Sequence, residues 1–302
     1  MKQRERELLS IITPAYNRAE LLAKCYRSLI EQTCYDFEWI IVDDGSNDNT
    51  KKVVQRFIGT NNKFPISYVW KENGGKHTAL NASHPYIHGE YVLILDSDDK
   101  LTPDAVETVL EEWNIYKKNT EIGILTFYRQ NVAGEVFAYS NSEREIVDIV
   151  RHKRVCIHSS DCCEVLRTEL FKKYPFPVFE NERFLAETAL WNRVALEYKC
   201  LYPGKSVYIG EYLEGGLTDS GRMMRLKNPL GGMYTSHLRM HKKCFMSERI
   251  KATLLYICYG KFAGKSMIDI LKEGKPYQAL IGVFCLPGLF MYLSWRKKYG
   301  TN

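Results

Sequence analysis

The chain lacks a run of apolar residues long enough to cross a bilayer, a CxxC pair among its nine cysteines, a G-x-G-x-x-G fingerprint after its first apolar run, and a Walker A sequence. Each absence removes a class. A spanning helix needs roughly 20 apolar residues, and the longest candidate, Ala279 to Trp295, is interrupted by Pro287 and Gly288. Dinucleotide folds and P-loop NTPases need their glycines at the first strand-to-helix turn. This chain has Pro14-Ala15-Tyr16-Asn17 there. The cysteines show no regular spacing, and the amino terminus Met1 to Glu7 is charged rather than apolar. Reduced thiols and a cytoplasmic protein are therefore expected. The net charge of +6 is modest, with the basic residues mainly in the second half. No nucleic-acid partner is expected from it, whereas anionic substrates or lipid headgroups remain compatible. His237 and His241 stand at i, i+4 with no acidic or cysteine partner at ligand spacing, and read as surface or packing residues.

With 45% hydrophobic and 26% charged residues, the composition is that of a folded globular protein with a substantial core. Five short apolar runs read as strands: Leu8 to Thr13, Trp39 to Val42, Ile66 to Trp70, Tyr91 to Leu95 and Ile122 to Phe127. Between them, Glu20 to Glu31, Thr50 to Ile58, Lys76 to Ala82 and Pro103 to Tyr116 carry helical spacing. Apolar strands alternating with helices predict an α/β fold, a mainly parallel sheet covered on both faces. Asn47-Asp48-Asn49-Thr50 offers capping oxygens, and Thr102-Pro103-Asp104 an N-cap followed by proline at the first helical position.

A polar cluster follows each of the first four strands, at the edge where open α/β sheets bind ligands. These are Thr13 to Arg18, Asp43-Asp44-Gly45-Ser46, Asn73-Gly74-Gly75-Lys76 and Asp96-Ser97-Asp98-Asp99. Three carboxylates at that density imply full solvation or a bound hard cation, Mg²⁺ or Mn²⁺. Singly, the clusters read equally as an acidic turn capping a helix, a tight turn, a loop and a packing tyrosine. Jointly they suit a nucleoside diphosphate. The Tyr16 ring and a carboxylate of Asp43 or Asp44 match the face and N–H edge of a base. Gly74, Gly75 and Lys76 match a phosphate, and Asp96 with Asp98 a metal on the diphosphate.

Taken in order, Ile11 to Arg18, Ser28-Leu29-Ile30-Glu31-Gln32-Thr33, Trp39 to Ser46, Asn73 to Lys76 and Leu95 to Asp99 make the first 130 residues resemble the inverting family 2 glycosyltransferases of the GT-A fold. Phe184 to Arg193 and Gly216-Leu217-Thr218 resemble a branch acting in bacterial surface-polysaccharide synthesis. The resemblance implies a Rossmann-like sheet flanked by helices with a helical carboxy-terminal extension. It also implies a sugar transferase with a UDP-type or related nucleotide-sugar donor and Mn²⁺ or Mg²⁺; the expected acceptor is a glycan or, if the tail is membrane-bound, a polyprenyl-linked sugar. Pro14, Ala15, Tyr16, Asn17, Arg18, Asp43, Asp44, Asn73, Gly74, Lys76, Asp96 and Ser97 would line the donor site. Asp43 or Asp44 would meet the base, Asp96 the ribose or metal waters, and Asp98 the metal. The family's acidic pair before Leu-Trp is reduced here to Glu187 in Ala186-Glu187-Thr188-Ala189-Leu190-Trp191. Glu187 is the expected catalytic base, with Glu180, Glu182 and Asp161 as competitors and a first-turn glutamate serving the helix dipole as the plain reading. The expected organisation is 1–130 donor-binding, 131–221 acceptor-binding with the base, and 222–302 a helical extension. A nucleotidyltransferase on a related sheet and a non-catalytic nucleotide-sugar binder are the alternatives.

Beyond Phe127 the periodicity weakens. Val155 to Lys173 reads as a loop leading into a helix, Leu166 to Tyr174, stopped by Pro175 and Pro177. Tyr208 to Leu213 reads as a strand feeding the glycine-rich Glu214 to Gly221, with Arg222, Arg225 and Lys227 behind it, suited to an anionic ligand or to a solvated turn. The apolar tail Ala279 to Trp295, with basic flanks and the aromatics Tyr292 and Trp295, fits two arrangements. One is a segment resting on the inner face of the cell membrane in an anionic headgroup layer. The other is a helical hairpin packed on the domain.

Overall fold

A computed structural model describes residues 8–60, 63–148, 150–152, 154–157, 161–210 and 221–300. Its contacts separate two compact units, Met1–Pro175 with Glu197–Tyr212, and Phe176–Leu196 with Leu213–Asn302.

The first unit begins with a regular alternation: β1 (Leu9–Ala15), α1 (Leu22–Ile30), β2 (Phe37–Asp43), α2 (Thr50–Thr60), β3 (Ile66–Trp70), α3 (Lys76–Ala82), β4 (Tyr91–Ile94), β5 (Lys100–Leu101), α4 (Ala105–Tyr116) and β6 (Ile122–Gln130). All five expected strands and all four expected helices are present. Short strands β7 (Ala138–Tyr139), β8 (Ile146–Val147) and β9 (Val155–Cys156) lead to β10 (Cys162–Arg167) and α5 (Thr168–Lys173). After α6 (Thr188–Ala195), which belongs to the second unit, β11 (Lys199–Leu201) and β12 (Ser206–Ile209) return to the sheet. The main strand order is β3-β2-β1-β4-β10-β6-β11-β8. β1 runs parallel to β2 and β4, and β2 to β3, while β11 and β12 run parallel to β6. Because the chain winds outward from β1 to β3 and then crosses to β4, the carboxyl ends of β1 and β4 flank the topological switch, where such sheets bind ligands.

β10 corrects an expectation. Residues 162–167 form a strand antiparallel to both β4 and β6, not a loop, and the following helix starts at Thr168, not Leu166. Glu164 and Arg167 interrupt the apolar pattern, so the segment is a strand through its neighbours: Val165 lies opposite Leu93 on one side and Leu125 on the other. Arg167 donates to the carbonyls of Ile122 (3.1 Å), Lys117 (2.9 Å) and Asn119 (3.2 Å), closing the turn between α4 and β6. The start of α4 also differs, at Ala105 rather than Pro103. The Thr102 hydroxyl donates to Asp104 (2.8 Å) instead of capping, and the Val106 amide of the first turn is met by Gln32 Oε1 (3.0 Å). Gln32 is buried, and its amide nitrogen donates to the carbonyls of Ser28 (2.9 Å) and Thr102 (2.7 Å), which ties the end of α1 to the start of α4.

Every residue of β1, β2 and β4 is buried, as strands covered on both faces require. Trp39 and Trp113 are fully enclosed, with Tyr91 stacked on Trp113 at 4.5 Å.

The second unit consists of α6 with α7 (Gly221–Lys227), α8 (Pro229–Arg239), α9 (Met246–Phe262), α10 (Met267–Glu273), α11 (Gln278–Val283) and α12 (Cys285–Tyr299). Its core gathers Met233, Tyr256, Ile257, Ile270 and Ile281 around α9. Gly288 lets α12 approach α9 closely, since a Cβ there would stand 2.8 Å from Ile257. Arg222 stacks on Trp295 at 4.8 Å and donates to the Tyr299 hydroxyl (3.0 Å), binding α7 to α12. The expected glycine-rich segment Glu214 to Ser220 and the end of the strand feeding it lie outside the described residues. Among the described residues no helix is long and apolar enough to cross a membrane.

Candidate active site

The polar loops at the carboxyl edge of the sheet are joined in sequence, each to the next. Asn17, after β1, has φ 53°. Its amide donates to Ser46 Oγ (2.8 Å), and its side-chain oxygen accepts from the Asn47 amide (2.9 Å). The Arg18 amide donates to Thr50 Oγ1 (3.1 Å) and the Ala19 amide to Asp48 (3.2 Å), so the first loop is stapled along the start of α2. Asp48 also accepts from the Thr50 amide (2.9 Å), serving the helix start expected of this segment. Pro14 and Ala15 are buried at the end of β1, while Tyr16 is exposed.

Asp43 and Asp44 are both buried and both held by protein groups. Asp43 accepts from the Ser46 amide (2.8 Å) and from the Tyr68 hydroxyl (2.5 Å). Asp44 accepts from Lys71 Nζ (2.7 Å), the Gly75 amide (2.7 Å) and the Gly74 amide (3.0 Å), and Asn73 Nδ2 donates to its main-chain carbonyl (2.9 Å). One carboxylate thus fixes the whole Asn73-Gly74-Gly75 turn. Gly45 permits the approach. Its φ is +79°, and a Cβ would lie 2.8 Å from the Asn73 amide nitrogen.

Lys76, the first residue of α3, reaches Asp96 beyond β4 and pairs with it, which joins the third loop to the fourth. Burial alone would raise the Asp96 carboxyl, but Lys76 and then Arg129 hold it below the ordinary carboxylate range. Asp99 behaves oppositely: burial, reinforced by the neighbouring Asp96 and Asp98, pushes it up to about 6 despite Arg129. Asp99 accepts from Arg129 (2.7 Å) and from the Tyr208 hydroxyl (2.9 Å), and that hydroxyl in turn accepts the Asp96 amide (2.9 Å). The Arg129 guanidinium lies over the Tyr208 ring at 4.2 Å. Asp98 differs from Asp96 and Asp99 in having no hydrogen bond or ion pair among the described residues, and it is half-buried. Ser97 is buried between them.

Among the described residues no group of three or more His, Cys, Asp or Glu is placed to hold a metal. The donor set nonetheless fits a Mg²⁺ or Mn²⁺ completed by substrate, because such ions are commonly held through one or two carboxylates with phosphate oxygens and water filling the rest. The uncommitted oxygens of Asp98, beside an Asp96 kept ionised, have that chemistry.

In the second unit Glu187 is the N-cap residue of α6, and its carbonyl accepts from the Leu190 (2.9 Å) and Trp191 (3.2 Å) amides. It is half-buried, one helical turn before Trp191, as the spacing predicts. Glu182 is committed elsewhere: its carboxylate accepts from the Leu230 (2.6 Å) and Gly231 (2.9 Å) amides and caps α8. Glu180 and Asp161 are exposed.

The residues singled out from sequence on the four loops are therefore brought together, Asn17 with the β2 loop, Asp44 with Asn73 and Gly74, and Lys76 with Asp96. Lys71, Arg129 and Tyr208 were not anticipated, and Asp99 was given no role of its own. Only Asp99 carried a signal, as the third acid of the motif.

A sequence profile described as Glycosyl transferase family 2 matches residues 10–174, more than half of the chain. Over 106 residues the chain is 44% identical to chondroitin synthase of Pasteurella multocida, covering 35% of this chain and 11% of that one. It is 30% identical over 206 residues to a Campylobacter jejuni protein, GalNAc(5)-diNAcBac-PP-undecaprenol beta-1,3-glucosyltransferase, covering 67% and 62%. The chain thus spans about a tenth of the length of the first of these relatives and less than two thirds of the second. Among solved structures, S. aureus TarS 1–349 in complex with UDP-GlcNAc superposes with a TM-score of 0.62 at 20% identity, covering 90% of this chain and 78% of that one, which is a likeness of fold. With the β1 to β4 loops assembled at the sheet edge and the profile spanning them, the chain belongs to glycosyl transferase family 2.

Proposed function

We propose that this protein transfers a sugar from a nucleoside-diphosphate sugar, UDP-linked, to a hydroxyl of a glycan or polyprenyl-linked acceptor in polysaccharide biosynthesis, with inversion at the anomeric carbon. The observation that carries the reading is the chain of contacts from Asn17 through Asp44 and Lys76 to Asp96, ending beside an Asp98 that makes no hydrogen bond or ion pair among the described residues. Four loops locked to one another present a base-sized aromatic, Tyr16, and an acidic turn along one edge, at little reorganisation cost on binding.

In the reaction the acceptor oxygen forms a bond to the anomeric carbon while the bond to the diphosphate oxygen breaks. The acceptor's proton passes to Glu187, and the nucleoside diphosphate leaves with the electron pair. Mn²⁺ or Mg²⁺ held by Asp98, with Asp96, would supply positive charge to the departing diphosphate. Asp44 holds the Gly74-Gly75 turn and Tyr208 holds the Asp96 main chain, so both act by positioning. Because entry and departure take opposite faces of the sugar, the product is inverted and no enzyme nucleophile is needed. A polyprenyl-linked acceptor confines the reaction to the inner face of the cell membrane.

The test is incubation of the purified protein with Mn²⁺, a panel of nucleotide sugars and candidate acceptors, following release of nucleoside diphosphate. Release with one donor supports the reading. Pyrophosphate release would make the protein a nucleotidyltransferase, and donor binding without turnover under every acceptor would make it a binding protein.

A further inference from the structure

The carboxy-terminal helices carry two opposite apolar faces, and among the described residues only one is used in packing. Toward α9, α12 buries Gly288 and packs Leu289, Trp295 and Tyr299 into the core of the second unit, with Trp295 edge-on to Tyr259 at 6.2 Å. On the other side Leu286, Phe290 and Leu293 are 77%, 74% and 58% exposed, and Val283 at the end of α11 is 73% exposed. Leu286, Phe290, Leu293 and Lys297 recur at i, i+4, i+7 and i+11, which places them on a single helical stripe. A stripe of large apolar side chains that contributes nothing to its own domain marks an interaction surface.

Charge identifies the occupant. Arg296, Lys297 and Lys298 are exposed in the last turn of α12, and among the described residues no carboxylate pairs with them. No acidic residue occurs from Gly274 to Asn302, and the nearest one upstream, Glu273, is paired with Lys265 at 2.7 Å. A two-fold contact with a second copy would bring the same patch to both sides. The cations would then meet no anion. An anionic bilayer supplies the missing charge, and its headgroup layer accepts the apolar stripe while the lysine and arginine stems reach outward to phosphate. No described helix is long and apolar enough to span, so the mode is docking in the interface.

We propose that α11 and α12 form an interfacial membrane-docking surface, with Val283, Leu286, Phe290 and Leu293 inserted among acyl chains and Arg296, Lys297 and Lys298 on anionic lipid phosphates. Both arrangements expected from sequence are thereby combined: α12 packs on its unit with one face and rests on lipid with the other. Membrane docking extends the polyprenyl-acceptor reading, yet vesicle binding and donor turnover are separate measurements and fail separately.

The test is cosedimentation of the full chain with vesicles of phosphatidylcholine alone, or with about one third phosphatidylglycerol. Binding to the anionic vesicles, weakened by salt, is expected, with little binding to neutral ones. Each basic side chain near such a surface is worth about fivefold in partitioning. R296Q/K297Q/K298Q should therefore bind on the order of a hundredfold more weakly, while the charge-preserving R296K/K297R/K298R keeps binding. L286Q/F290Q should lose at least about tenfold on anionic vesicles, with far-ultraviolet circular dichroism confirming the helices. Should that variant unfold, the charge series decides alone. Binding that is absent, indifferent to lipid charge, or unchanged in R296Q/K297Q/K298Q overturns the proposal. So does a loss confined to concentration-dependent self-association, which would assign the stripe to a second copy.

Discussion

Replacing Asp44 with alanine removes the acceptor from which the turn after β3 is suspended. Three donors lose this acceptor at close range, Lys71 Nζ at 2.7 Å, the Gly75 amide at 2.7 Å and the Gly74 amide at 3.0 Å, while Asn73 Nδ2, 3.3 Å from the carboxylate, keeps the main-chain carbonyl of residue 44 and Lys71 keeps that of Glu72. Hydrogen bonds to a charged group are worth about 1.5–3 kcal/mol each when buried. Lys71, Gly74 and Gly75 are half-exposed, and water replaces part of what is lost. Taking about 1 kcal/mol for each, the substitution should cost about 3 kcal/mol and lower the melting temperature by about 6–12 °C for a unit of this size. Asp44→Asn keeps an acceptor oxygen but not the charge facing Lys71, and should lose about half as much. Thermal unfolding followed by near-ultraviolet circular dichroism checks both. If Asp44→Ala melts within about 2 °C of the wild type and loses only donor affinity, Asp44 is a ligand-contacting side chain and the turn is held by other groups.

Other substitutions separate roles within the site. Asp98→Asn should leave stability within about 0.5 kcal/mol, since the carboxylate has no protein partner among the described residues. It should abolish Mn²⁺-dependent donor binding and turnover together, read by titration calorimetry with and without the metal. Glu187→Gln should keep donor binding and lower transfer about 10²- to 10⁴-fold; unchanged transfer would remove it as the base. Tyr208→Phe strips one hydrogen bond from Asp99 and one acceptor from the Asp96 amide. A loss of about 2–4 kcal/mol in urea unfolding is expected, and one under about 0.5 kcal/mol would mean that neither bond matters. Gly45→Ala puts a Cβ 2.8 Å from the Asn73 nitrogen at φ +79°, and a cost of about 1–3 kcal/mol should appear in the same assay.

The first 130 residues were legible because their signals are local. Strands buried on both faces announce themselves as apolar runs, and each is bounded by a helix whose period differs from theirs. β10 escaped because it has no such signature. Glu164 and Arg167 break its pattern, and the fact that makes it a strand, pairing with β4 more than 60 residues earlier, is not a property of the segment. The start of α4 escaped for a related reason: its capping acceptor is Gln32, brought from the end of α1, and the local Thr102 is occupied with Asp104.

The site shows the same division in sharper form. Placing acids and glycines at strand ends picked out loops that the fold does bring together, since the register of a parallel sheet carries the ends of adjacent strands to one edge. It did not say which side chains face a ligand and which hold the loops in place. Asp43 and Asp44 read alike in sequence, yet both are spent on protein groups, and among the described residues Asp98 alone of the acids of its motif keeps its oxygens uncommitted. The distinction comes from residues outside every motif. Tyr208 lies 112 residues beyond Asp96, and Arg129 lies on β6. Pairing of β12 with β6 puts Tyr208 in register with Arg129, and both then reach Asp99. A strand read from the second half of the chain thus sets the shape of an acidic turn in the first, and the division of labour among three adjacent carboxylates follows from the sheet rather than from the spacing of the acids.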